Sequence, residues 1–339
     1  MQTFAPVKEK LNPPIAGQKI FDLIIAEMAL VEAEFERQAS SNIQVVNYLG
    51  DYLRSSGGKR VRPALLILTN YAVGGSGNDE SVIRLATVME MLHTATLVHD
   101  DIIDNADLRR SRSSVSARFG NQTAVLMGDW LYMSAFETTV KERSLEIIDI
   151  LTQLTRKMTE GELIQLTMIG RLDISADDYF DILRRKTAFL FSACCEIGAI
   201  LGGASLPLQE ALREYGMNLG IAFQLADDLL DVSSEADKLG KTAGVDLLEG
   251  KLTLPLISLL ENEPALRSDF ENVMLDGEYR RFSREALLQK LESHGTLHEI
   301  RGHAGKFAER ARKNLEVLPE TEYRSALDDI TSFVIERNM

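Results

Sequence analysis

Cysteine and tryptophan are scarce in this chain: of 339 residues, two are Cys and one is Trp. The two cysteines, Cys194 and Cys195, are neighbours in an apolar run. That argues against a disulfide framework and for core packing in a reduced, cytosolic setting. Positive charge is short as well. The 37 Lys and Arg against 51 Asp and Glu leave a formal charge of −14, and no basic run is long enough for the face that non-specific nucleic-acid binding needs. No segment reaches the roughly 18 consecutive apolar residues of a membrane span, and no basic stretch leads into an apolar one at the start. The expectation is a chain without an integral membrane segment. Strand alternation is missing too.

What is present is helical periodicity and enough apolar residue, 45%, for a large core. Residues 1–15, with Pro6, Pro13 and Pro14, read as a loose arm, and 16–339 as one all-α domain. From Ile20 to about Phe35 apolar residues recur at helical spacing. Further helices are expected near 41–55, 62–73, 80–104, 114–118, 122–139, 143–169, 176–203, 207–232, 251–261, 283–293, 297–315 and 321–337, between Gly, Pro, Ser and Asn punctuation. The expected architecture is one helical bundle with a site in its interior.

One five-residue pattern occurs twice, Asp100-Asp101-Ile-Ile-Asp104 and Asp227-Asp228-Leu-Leu-Asp231, each inside an apolar helical stretch. At about 100° per residue, positions i, i+1 and i+4 share one arc of a helix, so each motif gathers three carboxylates. Like charges that close are costly unless cations sit between them. Oxygen ligands of this kind suit Mg²⁺, which prefers a few carboxylates, waters and substrate phosphates to an all-protein cage. Two further segments fit a diphosphate. Gly57-Gly58-Lys59-Arg60-Val61-Arg62-Pro63 places three cations at a loop leading into a helix, and Arg109-Arg110 follows the first motif. Read alone, a basic loop is more often a solvated surface than a ligand site, and His93 and His99 are as compatible with structural histidines as with ligands. The polar segment 233–251 after the second motif is a lid candidate.

EMLHTATLVHDDIIDNADLRR, GGKRVRP, FQLADDLLD and GKTAGVDLLEGKLTLPLI, in this order and spacing, resemble the trans-isoprenyl diphosphate synthases, most of all the long-chain octaprenyl and solanesyl type. The resemblance runs from about residue 20 to the C-terminus. It implies an all-α fold around a central cavity, a homodimer, and head-to-tail addition of isopentenyl diphosphate to an allylic diphosphate such as farnesyl diphosphate. It further implies Mg²⁺, three ions with the allylic diphosphate bound, held by Asp100, Asp104 and Asp227, with Asp101, Asp228 and Asp231 completing the two clusters. By the same resemblance Arg109 clamps the allylic diphosphate, while Lys59, Arg62, His93 and Arg110 hold isopentenyl diphosphate. Lys186, Thr187, Gln224, Lys241 and Lys251 match residues grouped around the allylic diphosphate. No protein nucleophile is needed, and none is evident.

The resemblance also speaks to product length. In this family bulky aromatic residues at the positions of Ala95 and Thr96 stop growth early. Here both are small, which points to a long product, octaprenyl-like, as for a quinone side chain. Leu92, two turns from Asp100 and about 12 Å away by helical rise, is a further wall candidate, with Met89, Leu131, Met133 and Phe136 as a deeper floor. A shorter geranylgeranyl or farnesyl product is the alternative. So is a non-catalytic subunit of a heteromeric enzyme, although such subunits tend to lose the acidic motifs that are complete here. A class I terpene cyclase would carry a different second metal motif. Cytoplasmic location follows from the same reading, with loose membrane association for release of a greasy product.

Overall fold

The computed structural model describes residues 15–55, 57–110, 112–233 and 244–336. The expected arm, and most of the lid candidate with Lys241, lie outside these residues. The described chain is helical almost throughout. The first part runs α1 (Ile15–Leu23), α2 (Ile25–Gln38), α3 (Gln44–Arg54), α4 (Val61–Ala72) and α5 (Glu80–Ile103). A two-stranded hairpin follows, β1 (Leu108–Arg109) against β2 (Arg112–Ser113), antiparallel with Arg109 opposite Arg112. Next come α6 (Val115–Phe119), α7 (Asn121–Lys141), α8 (Leu145–Met168), α9 (Ala176–Leu183), a π-helical turn (Arg184–Ala188), α10 (Phe189–Leu201) and α11 (Leu206–Ser233). The remainder is α12 (Val245–Leu248), α13 (Leu254–Asn262), a 3₁₀ turn (Pro264–Leu266), α14 (Arg267–Asp276), α15 (Arg284–Ser293), α16 (Thr296–Leu315) and α17 (Glu322–Glu336).

Helices that are apolar all round end up central. Ala64 through Leu68 of α4 are fully buried, as are Leu85, Val88, Met89 and Met91 of α5 and Phe191, Cys194 and Cys195 of α10. Both cysteines are free thiols, as the core-packing reading expects. α5 packs mainly on α7, and α11 on α10 and α16. The core divides into a larger cluster around α4, α5, α7 and α10, and a smaller one around α9, the C-terminal half of α11 and α13–α16. α5 and α11 carry the acidic motifs, and the long apolar faces that bury them fix where those motifs point.

Several elements differ from the sequence reading. The helix expected over 176–203 is interrupted by the π turn, whose extra residue per turn re-aims Lys186 and Thr187. The turn fits because Gly161 of α8 lies against it: a Cβ there would sit 2.6 Å from Arg185 Cβ. α14 was not expected, because RSDFENVMLD is mostly polar and buries only Phe270 and Val273. The hairpin is too short to show alternation. Glu80–Ile103 is long and apolar enough to cross a bilayer by length and composition, but 67% of its most apolar window is buried inside this fold, as for a core helix.

Candidate active site

Both acidic motifs open onto one cavity of about 870 Å³, lined by Asp100 of α5 and by Asp227, Asp228 and Asp231 of α11. The same cavity is lined by Lys59, Arg62, His93, Arg109, Arg110, Lys186, Thr187, Gln224 and Lys251. The expected site residues that lie within the described chain are therefore largely brought together. Asp101 and Asp104 are tied to the cavity through their partners rather than forming its wall.

In the first motif, Asp101 is 3% exposed and receives the Arg109 guanidinium, Nε at 2.8 Å and Nη2 at 2.6 Å. Asp104 accepts from Lys251 Nζ at 2.9 Å, which also contacts Glu249 at 2.7 Å. Burial opposes the Lys251 charge, but the two carboxylates outweigh it and its pKa is raised. Asp100 faces the cavity. Burial pushes its carboxyl up to about 7, against the pull of Lys186 and with Glu162 adding repulsion. Burial outweighs the pull of the neighbouring cations Lys186 and Arg109.

The second motif is satisfied differently. Asp228 is buried, 4% exposed, and accepts from Tyr179 Oη at 2.5 Å and Gln224 Nε2 at 2.8 Å. Gln224 in turn accepts from Thr187 Oγ1 at 2.9 Å. Burial raises Asp228 to about 7 although both hydrogen bonds work against it. Asp231 accepts from the backbone N–H groups of Val245 and Asp246, at 3.2 and 3.3 Å, and so caps α12. Asp246 adds a carboxylate to the cavity wall, and burial with repulsion from Asp231 and Asp228 raises it well above the usual range.

The basic loop is locked from beneath. Arg60 takes a left-handed backbone conformation, φ +48°, and points away from solvent into two carboxylates: Nε to Glu32 at 2.6 Å and Nη1 to Glu90 at 2.7 Å. Arg110 also has positive φ, +53°. From the hairpin turn its Nη1 donates to the Gly57 carbonyl. A side chain at Gly58 would meet that guanidinium at 2.7 Å. Arg62 stacks over Phe191 at 5.1 Å, and its Nε is buried with no hydrogen-bond partner among the described residues. Burial, with repulsion from Arg110, lowers its pKa. His93 is pushed well below the usual imidazole range by burial, then by Arg62 and Arg110. It therefore brings a neutral ring to the set of cations in which it was expected. Lys186 is held by Glu162 at 2.5 Å and by Gln165.

Sequence reasoning missed Tyr179, Glu90 and Asp246. Glu90 had a signal, a lone carboxylate inside an otherwise apolar helix, which must be paired if buried. Tyr179 had none. Of the length candidates, Thr96 is on the cavity wall with its hydroxyl turned to the His93 carbonyl at 2.7 Å. Ala95 and Leu92 are buried in the core behind that wall. Met133 is 63% exposed and so is no floor within this chain. His99 lies off the cavity, against α7, with Nε2 3.2 Å from the Val125 carbonyl.

The donor set fits magnesium. Among the described residues no three Asp, Glu, His or Cys side chains converge closely enough to hold a metal by themselves; the carboxylates of the two motifs are oxygen donors of the kind Mg²⁺ takes together with waters and substrate phosphates. Asp100 offers its carboxylate on the cavity wall, while Asp104 is paired with the Lys251 ammonium.

The polyprenyl synthetase family model matches residues 43–290. This chain belongs to that family. It is 36% identical to the octaprenyl diphosphate synthase of Escherichia coli (strain K12) over 321 residues, 95% of this chain and 99% of that one. It is 37% identical over 291 residues to a geranylgeranyl diphosphate synthase of Methanosarcina mazei, covering 84% and 88%. A polyprenyl synthase from Caulobacter crescentus, solved with calcium and isoprenyl diphosphate, superposes with a TM-score of 0.89 at 33% identity, covering 96% and 100%. The polyprenyl synthetase described here is accordingly a trans-prenyl diphosphate synthase with the all-α isoprenoid synthase fold.

Proposed function

We propose that this polyprenyl synthetase is a Mg²⁺-dependent enzyme that adds isopentenyl diphosphate repeatedly to an allylic diphosphate such as farnesyl diphosphate, giving a long-chain product of octaprenyl class. The observation that carries this is that one cavity is lined both by carboxylates from two helices and by Lys59, Arg62 and Arg110. Asp100, Asp104 and Asp227 would hold the metal. When bound, Mg²⁺ neutralises charge on the allylic diphosphate as it leaves. Arg109 and Lys186 add fixed positive charge beside the same leaving group, where it counts most in a dry site. The buried Nε of Arg62 and the guanidinium of Arg110 receive the second diphosphate without metal and hold its double bond near the cationic carbon. The apolar wall, with Phe223, Leu190 and Met158, excludes water that would quench that carbon.

The long-chain reading rests on Thr96 at the wall with Ala95 behind it, and on the octaprenyl relative. The geranylgeranyl relative of similar identity favours the shorter alternative, so identity alone does not decide. We also propose a homodimer, supported by an exposed apolar stripe on α7, Val125, Leu126, Met133 and Val140, 42–68% exposed, and a cytoplasmic location, supported by the two free thiols. Incubating the purified chain with Mg²⁺, isopentenyl diphosphate and farnesyl diphosphate and sizing the product tests the reaction and the product length. No prenyl transfer would overturn the reaction; a product that stops after one addition would overturn the long-chain reading alone.

A further inference from the structure

The second acidic motif is built from more than its own helix. Tyr179 lies on α9, whose start is fixed by a capping box between Ser175 and Asp178. Its ring is 7% exposed and meets Phe180 edge-on at 5.4 Å. A tyrosine so buried needs a partner for its hydroxyl. It finds Asp228 Oδ2 at 2.5 Å, while Gln224 Nε2 takes Oδ1 at 2.8 Å. Both carboxylate oxygens are therefore occupied by protein donors, and the arrangement continues through Gln224 to Thr187 at 2.9 Å. α9 and α11 are joined at the Asp228 carboxylate, and the π turn is joined to it through Gln224.

We propose that Tyr179 is a positioning residue for the magnesium site: its hydroxyl fixes the Asp228 carboxylate, and through it the orientation of Asp227 and Thr187 toward the cavity. Asp228 then serves as a fixed negative partner behind the metal and its waters rather than as a direct ligand. Outer partners of this kind orient the ligands and tune affinity, and removing one costs about 10- to 100-fold in metal binding. The inference rests on the Mg²⁺-dependent reading above.

Tyr179→Phe deletes one oxygen and keeps the ring. Calorimetry of Mg²⁺ binding, in the presence of an unreactive thiolo analogue of farnesyl diphosphate, is expected to give an affinity about tenfold weaker than the parent. The KM for isopentenyl diphosphate should stay the same. On an Asp228→Asn background the same change should alter Mg²⁺ affinity less than twofold, because the group it acts through is already gone. Unchanged Mg²⁺ affinity in Tyr179→Phe, or a full tenfold loss on the Asp228→Asn background, overturns the proposal while leaving the reaction intact. A parent protein that shows no Mg²⁺-dependent binding of the analogue overturns the underlying reading instead. Should Tyr179→Phe fail to fold, Gln224→Leu removes the other donor to Asp228 and decides the matter: the same loss supports the fixed-carboxylate arrangement, and parent-like affinity overturns it.

Discussion

The two acidic motifs have the same pattern and the same helical geometry, yet the molecule treats them in opposite ways. Around the first, charge is met by charge: Arg109 on Asp101 and Lys251 on Asp104. Around the second it is met by neutral dipoles: a tyrosine hydroxyl and an amide on Asp228, two backbone N–H groups on Asp231. Of the first motif only Asp100 is on the cavity wall, whereas all three aspartates of the second line it. The repeat thus supplies two carboxylate clusters of different electrostatic character. An ion pair can be exchanged for a metal or phosphate contact when substrate arrives, whereas neutral hydrogen bonds hold a carboxylate still. The first motif is suited to rearrange, and the second to stay fixed.

The most severe way to break this comparison is to remove the first aspartate of each motif. Asp100→Ala and Asp227→Ala should each lower kcat by about 10³-fold, the scale of losing a main electrostatic contact in a transition state, with helical content intact by circular dichroism. If either variant stayed within tenfold of the parent, the two motifs would not both be needed for the reaction.

Stability separates the two more sharply. Asp101→Asn leaves the Arg109 guanidinium without its charged acceptor and should cost about 2 kcal/mol in urea unfolding at pH 8. Asp228→Asn loses charge-assisted acceptors but also removes a carboxylate whose burial raises its pKa to about 7, and the two effects offset, leaving a cost below about 1 kcal/mol. The reverse order would mean that the neutral donors, not the arginine, supply the stronger compensation.

Much of this frame was legible in advance. The twofold acidic pattern, the GGKRVRP loop and Arg109-Arg110 were placed on one cavity by residues whose spacing is local to each helix or loop. The bundle was legible because α4, α5, α10 and α11 repeat apolar residues at helical period. What the motifs could not reveal are their partners. Tyr179 and Asp228 are 49 positions apart, and Lys251 and Asp104 are 147 apart, so only tertiary packing brings them together. The π turn was invisible for a similar reason, since it depends on Gly161 of another helix allowing a close approach. Ala95 stood one residue from the wall because spacing along α5 does not fix which face the neighbouring helices cover. A direct consequence is that Thr96→Phe should shorten the product more than Ala95→Phe, as read by product chain length.

Proton linkage offers a milder test. Burial holds Asp100 at about 7 in the metal-free chain. Its folded pKa lies above the unfolded value, so the folded state binds the extra proton, and stability from this group falls as pH rises from about 4 through 7. Cations bind the deprotonated form. Mg²⁺ with inorganic diphosphate should therefore raise Tm more at pH 8 than at pH 6, and binding near pH 7 should release protons, measured by calorimetry in buffers of different ionisation enthalpy. Asp100→Asn should raise the Tm of the metal-free chain at pH 8 and abolish its share of the proton release.

The smallest effect is the one most specific to the contrast between charged and neutral partners. Lys251 reaches Asp104 at 2.9 Å and Glu249 at 2.7 Å, with side-chain exposures of 14%, 26% and 33% respectively. Pairs this close to solvent contribute on the order of 0.5–1 kcal/mol, and salt screens them. Lys251→Met keeps most of the apolar stem and removes only the ammonium. It should lower Tm by about 1 °C at low ionic strength, and the deficit should shrink by about half or more in 1 M NaCl, where the Debye length falls to about 3 Å. Tyr179→Phe breaks a neutral donor to a buried carboxylate, so its Tm deficit should be the same at both salt concentrations. Equal salt sensitivity in the two variants would mean that Asp104 and Asp228 are compensated in the same way, and the distinction between an exchangeable first motif and a fixed second one would not hold.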